Sequence, residues 1–164
     1  MSDVPELITA VKTWVMNGRC TVQDLEFYET FNQEYRPSYW MPNPAADDEL
    51  WTFAQDGAGG QYVLWVAPSG VDDAPVLKLG RDGELVVLGR DLLDFAWLIA
   101  CGLEPIAVED GGSFRDPLTA SAEMQQWLRS LAPERSFGTA RETLDAAVAA
   151  YPELVAHVRA LAAG

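Results

Sequence analysis

From Leu50 to Gly102 the hydrophobic positions run in short alternating stretches and then change to a helical stripe. In LWTFAQ, Leu50 and Thr52 point one way while Trp51 and Phe53 point the other; in the next stretch Tyr62, Leu64 and Val66 alternate with Val63, Trp65 and Ala67. Both runs are apolar on both faces, which predicts strands covered on each side. Asp56-Gly57 and Asp82-Gly83 sit between such runs, where glycine accepts the positive φ of a tight hairpin. PVLKLGRDGELVVLG therefore predicts two further strands, with Pro75 at the first position, where no ladder donor is needed. RDLLDFAWLIACG then predicts a helix opened by Asp91 with Asp94 three residues on, and closed at Gly102 by a left-handed C-cap.

Outside this block the apolar spacing is helical. Residues 3–17 predict a helix capped by Asp3, with Leu7, Ile8, Val11, Trp14 and Val15 on one stripe and Asn17-Gly18 as its stop. A second helix is expected over 22–34, capped by Thr21, with Leu25, Tyr28, Phe31 and Tyr35 along one side. Three prolines make 36–44 a loop rather than one helix. An extended piece at 103–108 and a flexible connection at 109–113 lead to three closing helices. These are 120–131 capped by Thr119, 140–150 with the capping box Thr139–Glu142, and 153–162 with Pro152 in its first turn.

The central block resembles the SMI1/KNR4 family, also called the SUKH superfamily. FAQDGAGGQYVLW matches the family's hairpin of phenylalanine, Asp-Gly, Gly-Gly and an aromatic; PVLKLGRDGE matches its proline-led strand and turn; LGRDLLDFAWLIACG matches its helix. Phe137 to Leu161 is similar, more distantly, to the tail of actinobacterial members. The resemblance implies an α+β fold with one antiparallel sheet, and a binding role, since many bacterial members are immunity proteins that neutralise toxins. Residues 1–164 are expected to form one domain, with its core at 48–104 and a helical tail at 118–162. The sheet should have four or more strands. Trp51, Phe53, Asp56, Gly57, Gly59, Gly60, Tyr62, Asp82, Gly83 and Gly102 are assigned to this structural motif.

Composition narrows the classes of function. Apolar residues make up 49 % and tryptophans number 6, enough for a sizeable core in a chain of this length. Cys20 and Cys101 are too few for a disulfide framework. The opening residues carry acids where a secretion signal carries lysines, and no apolar run reaches membrane-spanning length, so a cytoplasmic, membrane-free setting is expected. The net charge of −14, with 25 acids against 11 bases, argues against nucleic acid as a ligand. It fits either plain solubility or the steering of a basic partner, such as a nuclease toxin.

Candidate chemistry is sparse. Gly57-Ala58-Gly59-Gly60 lacks a following Lys-Ser/Thr and a helix N-terminus, so it reads as a turn and not a phosphate loop. His157 is the only histidine, and no zinc or calcium motif occurs, so no metal or other cofactor is expected. No nucleophile elbow surrounds either cysteine, and no catalytic residue is assigned. The candidate partner-binding residues are the aromatic pair Tyr39 and Trp40 and the acids Asp47, Asp48, Glu49, Asp72 and Asp73. The leading expectation is a non-catalytic immunity protein whose partner is a basic toxin. The alternatives are a regulatory adaptor of the same family type, and a ligand-binding protein or hydrolase built on the carboxylates Asp47, Asp48, Asp72 and Asp73.

Overall fold

The computed structural model describes residues 4–31 and 35–164. The elements, in chain order, are α1 (Glu6–Met16), β1 (Glu26–Phe27), α2 (Pro37–Trp40), α3 (Ala45–Glu49), β2 (Leu50–Gln55), β3 (Gln61–Trp65), β4 (Val76–Leu79), β5 (Leu85–Gly89) and α4 (Leu92–Ala100). Two single 3-10 turns follow, Pro105–Ala107 and Asp110–Gly112, then α5 (Ala122–Leu131), α6 (Ala140–Ala150) and α7 (Leu154–Ala163). The fold is α+β. Its five strands form one antiparallel meander in the order β1-β2-β3-β4-β5.

The strands are buried on both faces because helices cover both. On one face Phe53, Tyr62, Leu64, Val76 and Leu88 pack with Ile8 and Val11 of α1, Phe95 and Ile99 of α4, and Met124 and Leu128 of α5. On the other, Leu50, Val63, Leu77 and Val87 pack with Met41, Ala46, and Leu154 and Val158 of α7. Between Thr52 and Ala54 the register slips by one residue, which lets Phe53 and Ala54 both join the first face.

Several local expectations hold. Asp91 accepts the Asp94 N–H at 3.0 Å, and Gly102 closes α4 with φ 82°. Thr139 and Glu142 form the full capping box of α6. Gly83 turns the β4–β5 hairpin with φ 93°. In the β2–β3 hairpin the left-handed glycine is Gly59, φ 94°, rather than Gly57. Gly60 is required for closeness: a Cβ there would stand 2.7 Å from an Asp56 carboxylate oxygen.

Other expectations are corrected. Residues 22–31 are not helical: Glu26 and Phe27 pair with Gln55 and Ala54, and Tyr28 N–H bonds the Phe53 carbonyl at 2.9 Å. The 25/28/31 spacing fits a helix, but Phe27 and Tyr28 suit a strand, and the edge of β2 supplies the backbone partners. The rest of that predicted helix, 32–34, and the Asp3 cap lie outside the described residues. Within 103–108 only Pro105–Ala107 wind into a 3-10 turn, between extended Glu104 and Val108, and Lys78 Nζ donates to the carbonyls of Ile106 and Val108 at 2.8 and 2.7 Å. Helix α5 is capped by Ser121, not Thr119, whose carbonyl instead accepts the Thr21 hydroxyl at 2.8 Å.

Candidate functional site

The candidate partner-binding residues fall on two neighbouring segments. Tyr39 and Trp40 lie on α2, and Asp47, Asp48 and Glu49 on α3. Asp72 and Asp73 lie in the loop joining β3 to β4, and both are exposed. The Glu49 carbonyl accepts Val66 N–H at 2.8 Å, so α3 and that loop share one end of the sheet.

The structure divides these seven residues by role. Tyr39 is 69 % exposed. Trp40 folds back: its indole donates to the Gly80 carbonyl at 2.5 Å, and its ring packs on the second face of the sheet. Asp47 also turns inward. One oxygen accepts Ser38 N–H at 2.9 Å and the other the Ser38 hydroxyl at 2.7 Å, so the carboxylate holds the start of α2 against α3. Asp48 between them is exposed.

Glu49 is engaged as well. Its Oε2 accepts the Trp65 indole N–H at 3.1 Å and lies 2.6 Å from His157 Nε2. Partial burial acts to raise its pKa, but the hydrogen bonds from His157 and Trp65, with the charge on His157, hold the carboxyl below its usual value. His157 also lies beside Trp65, ring centroids 5.4 Å apart. The sole histidine thus faces a structural carboxylate and an indole. Cys20 and Cys101 are unpaired thiols, and burial pushes both their pKa values up, which keeps them protonated.

The four acids of the carboxylate alternative do not converge. Asp47 is held by Ser38, and among the described residues no three His, Cys, Asp or Glu side chains are placed to hold a metal ion. Among the described residues no helix is long and apolar enough to cross a membrane.

Three features were not legible in the sequence. A cleft of about 510 Å³ lies at the β1 edge beside the glycine hairpin, lined by Asp24, Glu26, Tyr35 and Gln55 among others. It depends on β1, which the helical spacing of 22–34 concealed. A shallower groove of about 670 Å³ runs between α1 and α5, floored by Trp14 and Trp127 with their rings 5.6 Å apart. Arg135 reaches back 44 residues to Asp91 and also bonds Asp94, whose two oxygens both accept from the Arg90 guanidinium. That network fastens the α5–α6 connection to the start of α4, with Phe137 stacked on Trp97 at 4.4 Å. The matching charges were visible in the sequence, but nothing local pairs them. Comparison with protein-family models, with curated proteins and with solved structures finds no match to this chain.

Proposed function

We propose that this chain is a non-catalytic protein-binding domain of the SMI1/KNR4 type, and that it neutralises a basic bacterial toxin by covering the toxin's active surface. The observation that carries this reading is Tyr39. It is a large, mostly exposed aromatic on a helix whose neighbours Pro37 and Met41 are buried and whose start is braced by Asp47. A rigid exposed aromatic loses little conformational entropy on docking, which is why such residues serve as binding anchors. Asp48 stands exposed on the adjoining helix, whose last residue, Glu49, meets Val66 at the start of the loop that carries the exposed Asp72 and Asp73.

The division of labour follows from physics. The net charge of −14 draws a cationic partner in, which raises the association rate. The Tyr39 ring then sets the lifetime of the complex. Inhibition needs only that the partner's substrate be excluded, so the reading uses no catalytic group, metal or cofactor.

The experiment is association kinetics with the protein encoded beside this chain's gene. Reversing Asp48, Asp72 and Asp73 to lysine should slow association at low salt, with the difference fading as ionic strength approaches 0.15 M, where screening acts over about 8 Å. Tyr39→Ala should mainly speed dissociation. A neighbouring basic protein that binds with neither effect would remove this surface from the interface. Failure of every basic neighbour to bind would remove the immunity reading.

A further inference from the structure

The segment carrying Tyr39 and Asp48 is too short to hold its own shape. Helices α2 and α3 have 4 and 5 residues, well below the length at which an isolated helix persists in water. Its position must come from outside contacts. At its start, Trp40 is tied to Gly80 and the Arg36 carbonyl to Gln61 at 3.3 Å, both in or beside the central sheet. At its end the ties run to the far terminus of the chain. Asn43 Nδ2 donates to the Leu161 carbonyl at 2.8 Å, and Glu49 meets His157 at 2.6 Å. Asn43 is bifunctional there, because its Oδ1 also accepts Ala45 N–H at 3.0 Å and so shapes the entry to α3. Beneath these polar ties, Met41 and Ala46 share one apolar cluster with Leu154 and Val158.

We propose that α7 is the positioning element of the recognition segment: through His157 on Glu49 and the Leu161 carbonyl on Asn43, it sets where Tyr39 and Asp48 stand. The inference rests on the reading of that segment as the partner-binding surface. His157 is then a positioning residue that need not touch the partner. Coupling between two sites is reciprocal. A partner that orders the segment therefore also slows opening of α7.

Amide hydrogen exchange on the full chain tests the coupling without any partner. The reporters are the amides of Met41, Ala46 and Asp47, which bond to carbonyls within the segment. In His157→Ala these should exchange about fivefold faster, the scale expected for a partly exposed hydrogen bond to a charged group. The amides of β4 should keep their rates. His157→Gln, whose Nε2 can still donate to Glu49, should restore protection. Asn43→Asp, which keeps the acceptor for Ala45 and loses the donor to Leu161, should loosen the same amides independently. Unchanged exchange at the three reporters in both His157→Ala and Asn43→Asp overturns the proposal. So does equal acceleration in β4, which would mean that the contacts serve only general stability. A partner whose binding ignores Tyr39 and Asp48, while the exchange pattern behaves as stated, rejects the recognition surface and leaves the coupling intact.

Discussion

The phenol of Tyr62 donates to Asp56 Oδ2 at 2.6 Å, and the other oxygen of that carboxylate takes the N–H groups of Ala58 and Gly60 at 3.0 and 2.9 Å. Asp56 is 5 % exposed, so the β2–β3 turn is built around a buried, fully bonded carboxylate. Asp56→Ala strips three donors of their acceptor and should destabilise the fold by about 2–4 kcal/mol. A urea titration reading a lower midpoint at unchanged slope checks this.

The same contact contributes to the alkaline limb of stability. Burial first, and then the charge of Asp56, push the Tyr62 phenol well above its ordinary pKa. The unfolded chain releases this proton near pH 10 while the folded chain keeps it. The phenol's contribution is therefore complete below about pH 10 and declines as pH rises past it. Lys78, its register partner on β4, has its pKa lowered by burial and acts in the opposite direction there. Comparing urea midpoints of the native chain and Tyr62→Phe between pH 9 and 11 isolates the phenol, and the variant should show the shallower loss.

On the acid side one contributing group is Asp91. Burial acts to raise its pKa, but the Arg135 hydrogen bonds, the Asp94 backbone N–H and the neighbouring guanidinium charges outweigh it and hold the carboxyl below its usual range. A carboxylate whose pKa falls on folding contributes stability above its unfolded value, and that contribution disappears as pH drops through the folded value. Arg135→Ala should cost about 1–3 kcal/mol at pH 7 and flatten the decline below about pH 4. Thermal melts from pH 2 to 7 read both effects.

Two glycines with positive φ should respond differently. At Gly18, φ 64°, a Cβ meets nothing within 4 Å; at Gly102, φ 82°, it would stand 2.5 Å from the Leu118 carbonyl oxygen. Gly18→Ala should cost about 1 kcal/mol, the backbone penalty alone, and Gly102→Ala more than about 2 kcal/mol because backbone must also move. Equal melting temperatures for the two variants would reject this account of the α4 terminus.

Adjacent acids on α3 should also separate. Asp47→Ala breaks both bonds to Ser38 and should destabilise by about 1–2 kcal/mol. Asp48→Ala, on the exposed side, should stay within about 0.5 kcal/mol. Parallel denaturation curves distinguish a bracing carboxylate from one free to meet a partner.

What the sequence determined by itself was local. Alternation of Tyr62, Leu64, Val63 and Trp65, the Asp82-Gly83 turn, the Asp91 cap and the Thr139–Glu142 box each depend on residues a few positions apart, so the α+β class, four of the five strands, α4 and α6 could be read in order. Even the two-sided burial of the strands was legible, because no polar face interrupts them. Tertiary structure decided whatever needed a distant partner. Strand β1 exists because β2 offers an edge, against a spacing that also fits a helix. Trp40, Asp47 and Glu49 looked as available as Tyr39 and Asp48 until the chain brought Gly80, Ser38, Trp65 and His157 to meet them. Charge and aromaticity are properties of a residue, but exposure is a property of its neighbours, and for Glu49 the nearest of these comes from 108 positions further along the chain.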